Sequence, residues 1–342
     1  MSNILGVDIS VGSVKVVSIS KVENKLILDV IGEAKMPLVD WIRGAEKGKA
    51  IEEVAKTIRN LLIDLKVKAK QAVVCLPEEE VISRLINLPA LKESEIKDAL
   101  KFEAETFVPY PLNEVSIDYE IVETDETGKL TLFVIAARND LIQTYIKLFK
   151  SVGLDLIALE TPSVAVKRVL DVSVSATGGI ILVDLGEKYT EIVSFNKGNV
   201  YLIRSIGVGG ESITRAISLS LSLDMSSAEE YKKAYGLKET ELEGKIRNAI
   251  YPVFTSISEE IRKAMALFSE RQGAPVSLLV LSGGGANLPG FAEELTKVLG
   301  AEIQIIQPFL KIDSTHANAN FNINSEGCRF SLATGLALRD LV

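Results

Sequence analysis

One pattern is stated twice in this chain, and that repetition narrows the available folds more than any other feature. From Gly6 to Ser20 the sequence reads GVDISVGSVKVVSIS: an apolar run carrying a lone Asp8, a short turn with Gly12 and Ser13, then Lys15 and a second apolar run. At 180–205 it reads IILVDLGEKYTEIVSFNKGNVYLIRS. Setting Asp184 on Asp8 brings Gly186 onto Ser10, Thr190 onto Val14, Ile192 onto Val16, and Val193-Ser194 onto Val17-Ser18. Each copy opens a half of similar size, which favours duplication of one module over two chance hairpins. An Asp in an apolar strand is expensive to bury unless it has partners or work.

Around this repeat the pattern is that of an α/β protein. Asn3 to Met36 reads as three consecutive strands, with VENK as the turn between the last two. KAIEEVAKTIRNLLIDL places Ile51, Val54, Ala55, Ile58, Leu61 and Leu62 at helical spacing, and KQAVVCLP returns to strand. From Val81 to Glu160 the order β-α-β-β-α-β describes a small inserted subdomain with its own sheet. Its first helix is stopped by Pro109 and Pro111, and its hairpin crosses DETGK. A flexible SVSATGG leads into the second copy, again three strands. Helices follow over VGGESITRAISLSL, SSAEEYKKAYG and a long segment, 241–273, that Pro252 is expected to kink. The chain then runs strand, glycine turn and helix (PVSLLVLSGGGANLPGFAEELTKVLG), strand (EIQIIQP) and closing helix (CRFSLATGLALRDL). The first domain is expected at 1–80, 161–176 and 326–342, the inserted subdomain at 81–160, and the second domain at 177–325 with a helical subdomain at about 209–275.

Composition removes several function classes. The net charge of −8, from 38 basic and 46 acidic residues without a basic block, disfavours a nucleic-acid partner. The apolar runs are too short to cross a bilayer, and MSNILGVDIS lacks the basic start of a signal peptide. Cys75 and Cys328 lie far apart without metal-ligand spacing, which suits a reducing cytoplasm. The single histidine, His316, sits in an Asn-rich loop, so a histidine-based triad or a multi-histidine metal site is excluded.

The turns suggest chemistry. A turn between strands presents backbone N–H groups to anions, here from Ser10, Val11, Gly12 and Ser13, and Lys15 adds a point charge for phosphate. Asp8 would repel phosphate, so its natural work is to hold a hydrated Mg²⁺. A second turn with Asp184, Gly186 and Thr190 could face the first and clamp a polyphosphate, Asp184 sharing the cation through water. In LVLSGGGANLPG, Gly283, Gly284 and Gly285 offer bare backbone to an adenosine. Gly210 opens the helix after the second copy and joins this nucleotide set. Glu229 and Lys232 share a helix face and could reach ribose hydroxyls and an adenine edge, although a solvated ion pair is the commoner outcome of that spacing.

In this order, Asp8–Lys15, Asp184–Thr190, Gly283–Gly290 and FSLATGLAL resemble the actin/heat-shock-chaperone/sugar-kinase ATPase superfamily. LINLPALKESEIKDALKFEAETFVPYPLNEVSIDYEIV looks like one branch of it, the PilM family of type IV pilus assembly, related to the cell-division protein FtsA. The similarity spans nearly the whole chain. It implies an actin-like ATPase fold, two duplicated α/β domains around a cleft for ATP and Mg²⁺. It also implies a cytoplasmic scaffold that binds the N-terminal cytoplasmic tail of a PilN-like membrane protein and joins other platform proteins in a ring-like oligomer. Contact with the inner membrane would then be indirect; the chain ends in ALRDLV, without the amphipathic membrane helix of FtsA. By the same resemblance Glu160, in LETPSVAV, is a candidate to orient an attacking water, with Thr161 the other occupant of that place. Slow or negligible ATP turnover is expected.

One departure stands out. The family places glycine two residues after the first Asp, where this chain has Ser10 and brings glycine only at 12. Ser10 is expected to take glycine's conformation, at about 1 kcal/mol if that is left-handed. Two other functions remain open: a small-molecule kinase of the same superfamily, which needs a carboxylate base and polar substrate loops, and an FtsA-like polymerising protein. ANANFNIN reads only as a polar connection to the last helix.

Overall fold

The computed structural model describes residues 4–37, 39–44, 46–175, 178–317 and 319–342. In chain order β1 (Ile4–Ile9), β2 (Ser13–Val22) and β3 (Lys25–Lys35) precede α1 (Lys47–Asp64) and β4 (Gln71–Cys75). Next come β5 (Val81–Leu88), α2 (Glu93–Ala104), β6 (Val115–Thr124), β7 (Leu130–Arg138), α3 (Asn139–Ser151), β8 (Asp155–Glu160) and α4 (Pro162–Ser173). The second half contains β9 (Gly179–Leu185), β10 (Thr190–Asn196), β11 (Asn199–Ile206), α5 (Gly210–Leu221), α6 (Met225–Tyr235) and α7 (Lys245–Gln272). It continues through β12 (Val276–Ser282), α8 (Phe291–Leu299), β13 (Ile303–Ile305), β14 (Ile312–Asp313), α9 (Ile323–Glu326) and α10 (Ser331–Ala337).

The duplication seen in the residues is physical. One sheet has the order β14-β3-β2-β1-β4-β8 and the other β11-β10-β9-β12-β13. In each, the first strand of the copy pairs antiparallel with the next and parallel with a later one: β1 with β2 and β4, β9 with β10 and β12. The two Asp residues hold matching places. Asp8 lies opposite Lys15, and Asp184 lies opposite Glu191.

The run β-α-β-β-α-β over 81–160 is present, but its last two elements do not join the inserted sheet. That sheet is β5-β7-β6 alone, covered by α2 through Ile96 and Leu100. Strand β8 pairs parallel with β4 in the first sheet, and α3 buries Leu141, Tyr145, Leu148 and Phe149 against Leu5, Val7 and Ile58. The cause is connectivity: a parallel neighbour of β4 needs a long crossover ending on a helix, and the insertion with α3 supplies it.

Smaller differences have similar causes. The closing helix is shorter than expected, because Gly327–Phe330 forms a separate tight turn before α10. Helix α7 continues through Pro252 as one element. Strand β14 carries the chain from the second half back to β3. Helix α4, for which no element was assigned from the sequence, starts on Pro162, a favoured first helical residue. Residues 176 and 177 of the expected flexible link lie outside the described residues.

The halves share apolar packing. Val17, Ile19, Leu28 and Ile31 of the first sheet belong to the same buried cluster as Ile181 and Val183 of the second, with Phe330, Ala333 and Ala337 beside them. Helix α10 approaches its neighbours closely: a Cβ on Gly6 would stand 2.1 Å from the Ala333 carbonyl oxygen, and one on Gly335 2.0 Å from that of Ala165. Among the described residues no helix is long and apolar enough to cross a membrane.

Candidate nucleotide cleft

Both Asp-bearing turns close in the same way. The Ser10 amide donates to the Ser13 carbonyl at 2.9 Å, and the Gly186 amide donates to the Tyr189 carbonyl at 3.0 Å. Ser10 therefore spends its N–H inside the turn and leaves Val11 and Gly12 at the tip. Its backbone is not left-handed, so the strain expected there is absent. The Ser10 hydroxyl donates to Asp8 Oδ1 at 2.9 Å. Lys15 Nζ donates to the Ser13 hydroxyl at 2.8 Å and lies 3.6 Å from Asp8 Oδ2. The cation expected for phosphate thus stands beside Asp8 at the first turn.

The two turns meet across the cleft. Burial, then the nearby Asp8 charge, pushes Asp184 up to about 6, against the opposing pull of a Ser282 hydrogen bond and of Lys15. At Gly12, a Cβ would stand 1.7 Å from Glu187 Oε2. Glycine at 12 thus serves close approach rather than an unusual φ: Gly12 is not among the positive-φ glycines.

The SGGG turn packs on the second of these. Gly283 has φ +81°, and a Cβ there would stand 2.5 Å from Asp184 Oδ1. A Cβ on Gly285 would stand 2.6 Å from Leu185 Cβ, whereas Gly284 faces open space. Two of these glycines admit the neighbouring strand, and one presents bare backbone outward. The start of α5 is tied to the same turn, with the Gly210 amide donating to the Gly186 carbonyl at 3.0 Å. Lys232 Nζ donates to the Gly210 carbonyl at 3.1 Å and to Thr214 Oγ1 at 2.9 Å, and pairs with Glu229 at 2.6 Å. Glu229 and Lys232 accordingly fasten α6 to α5 beside the cleft.

Two expected site residues are turned to other work. Thr190 is fully buried, and its hydroxyl donates to the Val208 carbonyl at 2.6 Å. Its side chain faces inward because it sits in register on a strand whose cleft-facing neighbour is Glu191. Glu160 is buried with both oxygens engaged: Arg168 donates to them at 2.7 and 2.9 Å, and Arg339 donates to Oε1. A carboxylate so committed anchors β8, α4 and the chain end, and the water-orienting role expected of it is withdrawn.

Three acidic residues beside the turns, Glu78, Glu187 and Glu191, carried no sequence signal. Glu78, Asp184 and Glu191 line one small cavity together with Ser163, Ser282 and Leu332. Burial pushes Glu78 up to about 7, with a Ser83 hydrogen bond pulling it back. Burial likewise pushes Glu191 up to about 8, assisted by the Glu78 and Asp184 charges. Only the register of β9 on β10 and the position of the turn after β4 bring these groups together.

The donor set fits a phosphorylated nucleotide with a divalent cation. Two facing carboxylates repel when both are ionised, and a cation between their water shells relieves that repulsion. Among the described residues no three His, Cys, Asp or Glu groups converge closely enough to coordinate a metal directly. A cation held through waters and phosphates needs no such cage.

Comparison with known proteins places this geometry in context. The sequence model of the type IV pilus assembly protein PilM family matches residues 6–341. A solved PilM-PilN type IV pilus biogenesis complex is similar over 99% of this chain and 98% of that one, with a TM-score of 0.85 and 26% identity. The ethanolamine utilization protein EutJ of Carboxydothermus hydrogenoformans shares the fold, with a TM-score of 0.59 and 17% identity over 98% of this chain and 88% of that one. Among curated proteins, the cell division protein FtsA of Bacillus subtilis (strain 168) is 26% identical over 155 residues, which are 38% of this chain and 34% of FtsA. The chain thus spans less than half the length of the curated relatives it matches.

Proposed function

The chain belongs to the PilM family of type IV pilus assembly proteins, and from that premise we propose that it is an ATP-binding scaffold that captures the N-terminal tail of a PilN-like membrane protein. Most weight falls on one observation: the likeness to a PilM-PilN complex extends over 99% of the chain and so takes in the inserted three-stranded sheet. The scaffold would work on the cytoplasmic side, reach the membrane only through that partner, and join other platform proteins in a ring-like assembly.

The cleft supports the nucleotide part. Asp8 and Asp184 would hold Mg²⁺ through water, and the amides at Val11 and Gly12 would receive phosphate oxygens with Lys15 nearby. Gly284 would lie against the adenosine. Bound nucleotide supplies a polyanion with its cation, to which both turns are complementary. Because the turns belong to different halves, their shared hold on one ligand stabilises the closed arrangement by mass action. Glu160 is tied to two arginines, so binding without rapid hydrolysis is the expected behaviour.

Fluorescence anisotropy with a synthetic PilN-like N-terminal peptide, with and without Mg-ATP, tests the scaffold directly. Saturable binding in at least one condition is expected. No detectable affinity in either would contradict it.

A further inference from the structure

Glu187 stands in the second turn where Val11 stands in the first, one residue after Gly186, which aligns with Ser10. Its carboxylate crosses the cleft. From the position a Cβ on Gly12 would take, Oε2 is 1.7 Å away, Cδ 2.7 Å and Oε1 3.1 Å. An anionic group therefore lies against the tip of the first turn, where Ser10 has withdrawn its own amide and Gly12 remains. The rest of the turn is fixed. The Glu187 carbonyl accepts from the Glu211 amide at 2.8 Å, so the backbone is held while the exposed side chain is free to rotate.

We propose that Glu187 determines how readily this cleft accepts phosphate, because its carboxylate stands against the Cα of Gly12, at the tip of the turn that a phosphate would approach. A nucleotide reaches the first turn only as the Glu187 side chain swings out, and its phosphate charge then meets a carboxylate close by. Like charges brought this close repel, and that repulsion weakens the hold on the incoming phosphate. Until it is displaced, the same side chain bridges the two halves. This inference rests on the nucleotide cleft proposed above and adds a residue that sets its selectivity.

Isothermal titration of the full chain with Mg-ATP separates the possibilities, using wild type, Glu187→Gln, Glu187→Ala and, as a control in the same turn, Lys188→Ala. The Gln variant keeps the size and removes the charge. Both Glu187 variants are expected to bind Mg-ATP about tenfold more tightly than wild type, equivalent to about 1.4 kcal/mol, while Lys188→Ala shows no gain. Affinity unchanged within about twofold, or weakened, in both Glu187 variants would overturn the proposal, as would an equal gain in Lys188→Ala, which would point to loosening of the turn. Absence of Mg-ATP binding in all four proteins would overturn the nucleotide cleft itself, and this inference with it.

Discussion

Asp8 illustrates how far a single residue can be read in advance. Its strand, its turn and its apolar neighbours are local, and the structure gives it the partners that an Asp in such a strand needs: the Ser10 hydroxyl and Lys15. Replacing Asp8 by Ala is expected to leave the fold intact and to weaken Mg-ATP binding at least tenfold, about 1.4 kcal/mol, by calorimetry. Glu160 shows the opposite. Its place in LETPSVAV suggested chemistry, but Arg168 and Arg339 come from α4 and the chain end, and no local pattern announces such a meeting. Glu160→Gln should cost about 3 kcal/mol in denaturant unfolding, since it leaves two guanidinium groups short of a buried partner. Any ATP turnover should be unaffected.

The raised carboxyls add a pH dependence at the same scale. Glu78 and Glu191 titrate near 4.5 when unfolded and at about 7 and about 8 when folded. Between those values the folded chain binds more protons, so its stability is fullest below about pH 4.5 as far as these groups are concerned and falls as pH rises through about 7 to 8. The double variant Glu78→Gln, Glu191→Gln should show a flatter unfolding midpoint across that window. An unchanged slope would contradict the assignment.

Elements were legible where their signal is periodic. The strands of both copies, helices α1 to α3 and α5 to α8, and the glycine turn before α8 all follow from alternation, helical spacing and turn residues. Sheet membership was not, because a strand's period is the same whichever sheet it joins, so β8 joins the first sheet rather than the inserted one; β14, only two residues long, had no strand assigned to it. The Asn-rich loop also gains a role. Phe321 stacks on Phe330 with ring centroids 5.0 Å apart, and the Arg329 guanidinium lies 4.7 Å from the Phe321 ring while it pairs with Glu33 on β3. These contacts pin the loop's aromatic end against the first sheet. Close element packing makes a sharper prediction at Gly335, where α10 meets the Ala165 backbone. Gly335→Ala should lower unfolding stability by about 3 kcal/mol, because backbone cannot yield as a flexible side chain can. Thermal or denaturant melts of the purified variant check this.

At the scale of the whole molecule, two copies of one module put their Asp-bearing turns at the same point of similar sheets, and the shared core brings the turns face to face. That arrangement was visible in the sequence because duplication leaves a residue-by-residue trace. What crosses the cleft was not visible: Glu187 on Gly12, and Asp184 pushed up by burial and then by the Asp8 charge, depend on how the halves meet. Family membership supplies the setting in pilus assembly, and the cleft supplies the physical basis for the nucleotide proposed to bind there.

The most direct test is a crystal structure grown with Mg²⁺ and a slowly hydrolysed ATP analogue. Phosphate density against Gly12 with Glu187 turned away, and a hydrated cation between Asp8 and Asp184, is the predicted result. Carboxylates left as they are here, with the analogue absent from the cleft or bound elsewhere, would contradict it.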